Sequence, residues 1–363
     1  MPSPRYFFFL PLLLVATACR AREARVLSLT AIPRSSPPPA SPEAQQEVIL
    51  EAVGLAEEAG AGGLYQAWSW QALEPSPGQY DLDNLASTLG YLGQTRGLSM
   101  LVTIHVINTS VREVPADLHA LPFDSPRMKQ RFRALLDALL PHLDRHVLYL
   151  SIGNEVDEYL SRNQEWASYR SFYEDAAAHV RARAPWLKVG VTSTFDGANF
   201  KFPGEVAALN AASDVFILTY YAVDERFLPE ASRSPLDDLP RAVALAGGRP
   251  LVLQEVGYPS SATLSSSERQ QADFVSSVFA AWRSTANIPY LNFSLMHDYG
   301  RAHCSTLPRF YRLPGNARFE AFLCSIGLRE ADGRPKLGWA ALEREAAAAG
   351  FLRAPRPGRG DPE

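Results

Sequence analysis

Eight short apolar runs, separated by longer amphipathic stretches, limit what this chain can fold into. They lie at residues 26–32, 63–70, 100–106, 147–152, 188–194, 215–221, 251–256 and 290–296. Short apolar runs bounded by Gly or Pro read as strands buried on both faces, the pattern of a parallel sheet. The stretches between them carry helix starts. Ser41-Pro42-Glu43 and Ser125-Pro126 each place a capping hydroxyl before a proline, and Ser265-x-x-Glu268 has the spacing of a capping box. Eight strand–helix units are the count of a closed (β/α)8 barrel, the TIM barrel. A doubly wound sheet is the alternative, but no Gly-rich phosphate turn follows the first run. One domain over residues 25–352 is expected, long enough for the about 250 residues that such a barrel takes.

Two of these runs end in a glutamate. One reads His146-Val-Leu-Tyr-Leu-Ser-Ile-Gly-Asn-Glu155, the other Pro250-Leu-Val-Leu-Gln-Glu255-Val-Gly-Tyr-Pro259. Each carboxylate is thereby expected at the C-terminal lip of a strand, where α/β barrels hold their chemistry. Two carboxyl groups across one cleft are what cleavage of a glycosidic bond needs, one as proton donor and one facing the anomeric carbon. The expected reaction class is therefore glycoside cleavage, and the expected partner a carbohydrate. No cofactor is implied, and no His or Cys spacing suggests a metal site. A net charge of −4 with scattered basic residues gives no electrostatic case for nucleic acid.

The ends of the chain read differently. Arg5, the apolar run 6–15 and Ala16-Thr-Ala-Cys19 have the layout of a secretory signal over residues 1–18. Small residues directly before Cys19 also resemble a bacterial lipobox, which would lipidate that cysteine and make it the only membrane attachment. Residues 19–24 then form a short linker, and residues 353–363, rich in Pro, Gly and Arg, read as a disordered tail. An exported chain with two further cysteines favours a disulfide between Cys304 and Cys324 over two free thiols. The bridge is expected in the long interval after the eighth strand, over the mouth of the barrel.

The chain resembles clan A, retaining glycoside hydrolases built on this barrel. In that clan an Asn-Glu pair ends strand four with the Glu as acid/base, and a second Glu ends strand seven as nucleophile. Asn154-Glu155 and Glu255 fall at those positions. Trp70-Gln-Ala-Leu-Glu74-Pro75-x-x-Gly78-x-Tyr80-Asp81 is similar to a stretch after strand two in many members. Glu255-Val-Gly-Tyr-Pro resembles an element of families 53 and 17. Two features depart from the clan. No Arg stands near strand two, and Phe293-Ser-Leu-Met-His297-Asp298 occupies the end of strand eight, where a Trp is common.

The resemblance implies Glu155 as acid/base, Glu255 as nucleophile, and Asn154 as donor to the sugar 2-hydroxyl. It also implies a tyrosine beside the nucleophile. Strand alternation lets only one of Tyr220 and Tyr221 point inward, and Tyr220 is taken as that residue. Trp68 and Trp70 either stack on sugar rings or fill the barrel. His105 and His297, at the ends of strands three and eight, either line the cleft or satisfy structural bonds. Glu74 is expected to cap or pair locally. Two other readings use the same barrel: a carbohydrate-binding protein without turnover, and a transglycosylase with the same two glutamates.

Overall fold

The computed structural model describes residues 25–352; the expected signal segment 1–18, the expected linker 19–24 with Cys19, and the expected tail 353–363 lie outside the described residues. Eight parallel barrel strands are present. They are β1 (Val26–Leu29), β2 (Gly63–Ser69), β3 (Ser99–Asn108), β4 (Val147–Asn154), β5 in two segments (Lys188–Gly190 and Thr192–Thr194), β6 (Phe216–Tyr221), β7 (Leu251–Gly257) and β8 (Tyr290–Phe293). Each pairs with its neighbours in sequence, and β1 pairs with β8. The first segment of β5 bonds to β4 and the second to β6, so the barrel is nearly closed, with only Val191 between the two segments. The chain folds as a (β/α)8 barrel, as its apolar rhythm predicts.

The local signals act as expected in two helices and shift in a third. Ser41 and Ser125 cap Pro42–Glu58 and Pro126–Leu139, each accepting from the backbone N–H three residues on. The cap of Glu268–Ser284 is Ser267, not Ser265. Ser265 instead closes the preceding turn at φ 58°, which moves the helix start two residues on. β8 stops at Phe293, three residues before its apolar run ends, and a cis peptide joins Ser294 to Leu295.

The barrel interior is layered. At its lower end Tyr65, Leu101, Tyr149, Ile217, Val252 and Tyr290 fill the centre. Above them lies a belt of fully buried polar side chains: Ser28, Thr103, Ser151, Thr192, Gln254 and Asn292. Burial of such groups is tolerable only when they bond to one another, and they do. Ser28 donates to Asn292 at 2.8 Å, Ser151 and Thr192 share a bond at 2.7 Å, and Thr103 and Thr192 both donate to Gln254 Oε1 at 2.9 and 2.7 Å. The C-terminal mouth of the barrel rests on this belt.

After β8 the chain makes an excursion of short helices, Arg301–Cys304, Leu307–Phe310 and Ala317–Leu323. The Cys304–Cys324 disulfide closes it, with Cα atoms 5.8 Å apart. Its base is pinned where Lys336 Nζ meets Asp298 Oδ2 at 2.5 Å and Gly327 N–H donates to Asp298 Oδ1 at 2.8 Å.

Gly153 shows how little freedom the end of β4 has. Its φ is +92°, and an added Cβ would lie 2.4 Å from the Tyr169 hydroxyl and 2.5 Å from Val156 Cγ1. Gly153→Ala is expected to destabilise the fold by about 2–3 kcal/mol, since it meets both a forbidden conformation and a clash. Urea unfolding checks this, and an unchanged midpoint would show that the strand end can relax.

Candidate active site

A cavity of about 390 Å³ opens at the C-terminal end of the barrel, and Glu155, Glu255, Asn154, Thr219 and Tyr221 are in its wall. The two glutamates arrive there by different backbone devices. Glu155 follows β4 in the left-handed region, φ 45° and ψ 45°, and is the residue from which the helix Val156–Asn163 starts. A non-glycine residue held there costs about 1–3 kcal/mol and persists only when its surroundings impose it. Here the surroundings are Gly153 before it and Asp157 after it. The buried Asp157 carboxylate accepts from Thr194 N–H at 2.9 Å and Thr194 Oγ1 at 2.6 Å, tying the helix start to the end of β5.

Glu255 depends on a bulge. Leu253 pairs with Leu218 but Glu255 pairs with the next β6 residue, Thr219; on the other side, Leu291 to Phe293 spans Leu253 to Val256. β7 therefore holds one extra residue at Gln254-Glu255. Such an insertion breaks the strict alternation of faces, so consecutive side chains both reach the barrel interior. Gln254 joins the polar belt and Glu255 enters the cavity.

The carboxylates have distinct surroundings. Glu155 accepts from Thr109 Oγ1 and Thr219 Oγ1, both at 2.7 Å. Burial, and after it the negative charge of Glu255, raise its pKa to about 8. Glu255 accepts from Tyr221 OH at 2.6 Å and from Gln254 Nε2 at 3.3 Å. Burial raises its pKa too, while the Tyr221 and Gln254 bonds oppose that rise. When the pair holds one proton, these environments place it on Glu155 and the negative charge on Glu255.

Some of the other residues singled out from the sequence gather at this mouth, and others stand away from it. Asn154 lines the cavity, with Oδ1 accepting from Gln254 Nε2 at 2.6 Å and Nδ2 donating to Asn108 at 3.3 Å. Tyr221, not Tyr220, meets Glu255. Ile217, Thr219 and Tyr221 share the inward parity of β6, so Tyr220 points outward, buried against Phe195 and Phe274 and donating to Asp238 at 2.7 Å.

Neither tryptophan reaches the cavity. Trp68 has the outward parity of β2 and donates to Asn84 at 3.0 Å. Trp70 is fully buried against Phe132 and Phe172, with its indole N–H on Glu74 at 2.8 Å. Glu74 also accepts from Arg131 and Gly78 N–H, the local pairing expected of it. His297 is not in the cavity wall either. Its ring bonds to Ile32 O at 2.8 Å and to Arg329 at 3.2 Å, joining the exit of β1 to the return of the excursion. His105 is not among the wall residues; its ring lies 3.6 Å from Glu113.

No sequence motif marks Thr109, Thr219 or Gln254. Gln254 left one trace, a polar residue inside an apolar run directly before Glu255.

No protein-family model matches the sequence, and no curated protein matches it. Solved structures do resemble it. A GH5_18 protein from Streptomyces cattleya, solved with GlcNAc, superposes with a TM-score of 0.69 at 18% identity, covering 93% of this chain and 83% of that one. An exo-β-1,4-mannosidase, Op5Man5 from Opitutaceae bacterium strain TAV5, gives 0.68 at 19% identity over 90% of this chain; the chain spans 60% of that protein's length. A GH5_18 variant from Bifidobacterium longum subsp. longum, solved with Manβ1-4GlcNAc, gives 0.68 at 15% identity, covering 90% and 78%. These glycoside hydrolases belong to GH5, within clan A, and at such identities it is the barrel that they share with this chain. They lend no support to the motifs similar to families 53 and 17.

The raised Glu155 carboxyl makes a prediction with a definite sign. A group whose folded pKa lies above its ordinary value stabilises the fold fully below that value and ceases to as pH rises through the folded pKa. Wild-type stability should therefore fall between the ordinary 4.5 and about 8. Asp157, raised to about 7 chiefly by burial, adds to the fall. Glu155→Gln cannot ionise and should show a smaller fall. Urea midpoints across this pH range test it, and equal slopes in the two proteins would contradict it.

Proposed function

We propose that this chain is a retaining glycoside hydrolase that cuts O-glycosidic bonds, of β configuration, in an oligo- or polysaccharide. The observation that carries the reading is the pairing of two differently held carboxyls in one barrel-mouth cavity: Glu155, on which burial and Glu255 retain a proton, and Glu255, whose anion takes bonds from Tyr221 and Gln254. The likeness to GH5 barrels supports it.

In this reading Glu255 attacks the anomeric carbon while Glu155 gives its proton to the leaving oxygen. The attack consumes the negative charge that raised Glu155. Now ionised, Glu155 serves as the base that takes a proton from water in the second step. Tyr221 holds Glu255 in line before attack and stabilises it again as the leaving carboxylate. Asn154, with its carbonyl fixed by Gln254, presents an amide hydrogen to the sugar 2-hydroxyl. The cavity wall favours an uncharged sugar. Glu158, Asp196, Asp224 and Glu225 outnumber Arg162 and Lys201, and Lys201 is paired with Glu158 at 3.3 Å. Structures similar to this one are named for β-mannosides and β-glucosides, so β-mannosides, Manβ1-4GlcNAc and β-glucosides belong in the first screen. The Cys304–Cys324 bridge suits an oxidising compartment and supports export, with Cys19 as the proposed lipid attachment.

Removal of each carboxyl separates the roles. Glu155→Ala should lose about 10²–10⁴-fold in rate on alkyl glycosides, far less on dinitrophenyl glycosides, and azide should yield a glycosyl azide of retained configuration. Glu255→Ala should be inactive on both, with azide yielding the inverted azide. NMR of the products decides, and the reverse pattern of anomers would exchange the two assignments. An inverted sugar from the wild type would sink double displacement altogether.

A further inference from the structure

The excursion after β8 delivers a side chain that the chemistry above does not use. Tyr311 follows the short helix Leu307–Phe310, its N–H bonded to Leu307 O at 2.9 Å. Its ring meets Phe319 edge-on at 5.3 Å and Phe310 at 5.0 Å, so its direction is set by packing. The same excursion reaches the site a second time, where Phe322 packs edge-on against Tyr221 at 5.4 Å.

Tyr311 lines the cavity together with Glu155 and Glu255. Burial, and after it the charges of Glu155 and Glu255, push its phenol well above the ordinary range, so it remains a neutral donor. The Tyr221 hydroxyl is taken up by Glu255. The Tyr311 hydroxyl bonds to no described residue. A protonated hydroxyl on a residue of this wall, bonded to neither carboxyl, is a donor left for something that enters the cavity.

What holds Tyr311 there is equally specific. The helices of the excursion have four, four and seven residues, lengths that are not stable by themselves. Tyr311 lies inside the loop that the Cys304–Cys324 bridge closes.

We propose that Tyr311 is a substrate-binding residue, donating its phenolic hydrogen to a hydroxyl of the sugar held between Glu155 and Glu255, and that the Cys304–Cys324 bridge presents it. The inference rests on the glycosidase reading. It makes substrate affinity depend on the redox state of a bond that takes no part in the chemistry.

The test measures kcat and KM of the purified full chain on the dinitrophenyl β-mannoside and β-glucoside. It compares wild type, Tyr311→Phe, and both proteins after reduction with dithiothreitol, with a Cys304→Ser/Cys324→Ser variant in parallel. Tyr311→Phe keeps the ring and its packing and removes only the donor. KM should rise about 5-fold, the loss of one neutral hydrogen bond, with kcat little changed, because ground and transition states lose the bond alike. Reduction should raise the wild-type KM by a similar factor and leave that of Tyr311→Phe where it was, since the two changes act on one contact. An active wild type whose KM is unmoved by Tyr311→Phe overturns the proposal and leaves the glycosidase reading intact. So does reduction that raises KM equally in both proteins. A folded wild type inert toward every glycoside of the screen overturns both readings.

Discussion

The site depends on one side chain that never touches the cavity. Gln254 is fully buried and uses both ends of its amide: Oε1 accepts from Thr103 and Thr192, and Nε2 donates to Asn154 and Glu255. Four strands, β3, β4, β5 and β7, thereby share a single planar group. A buried amide left partly unsatisfied would cost free energy on the order of 1–3 kcal/mol, so any movement of one strand end against another breaks a bond that water cannot replace. That is how a barrel whose lower half is apolar holds polar groups in register at its mouth. The bulge in β7 is what allows Gln254 and Glu255 to face the interior in succession.

From this frame follows an asymmetry between two glutamates of identical chemistry. Both are raised by burial, but Glu255 receives bonds from a phenol and an amide, while Glu155 feels the charge of Glu255. Two carboxyls buried in one cavity do not both ionise readily, and the surroundings decide which one keeps the proton. The left-handed backbone at Glu155 fits the same picture: a costly conformation, held between Gly153 and the Asp157–Thr194 contacts, aims the carboxyl into the cavity.

What was legible in advance was what rests on local pattern. The eight apolar runs marked the strands, the Ser-Pro pairs marked two helix starts, and the C-terminal ends of the runs marked the region of the two glutamates, Glu155 directly after β4 and Glu255 two residues before the end of β7. The cysteine pair was legible from number and context. Parity was not. Tyr220 and Tyr221 are adjacent and alike, and which one faces inward is set by the register of β6 against a bulged β7. Trp68 and Trp70 are two residues apart; alternation along β2 turned Trp68 outward, and Trp70, the first residue of the short helix Trp70–Leu73, packs against Phe132 and Phe172. His297 left the site because β8 stops at Phe293 and the chain there turns to meet Ile32 and Arg329. Ser265 lost its cap role to Ser267 for a local reason, a turn whose closing residue cannot also begin a helix.

The sequence by itself determined the barrel and the two carboxyls at its lip, since periodicity and the residues that end each run are properties of neighbours along the chain. Only the tertiary structure decided which tyrosine attends Glu255, that Gln254 ties four strands together, and that Tyr311 arrives from an excursion far beyond Glu255 in the chain. Those choices rest on the register between strands and on contacts between segments remote in the chain, and no local pattern carries that information.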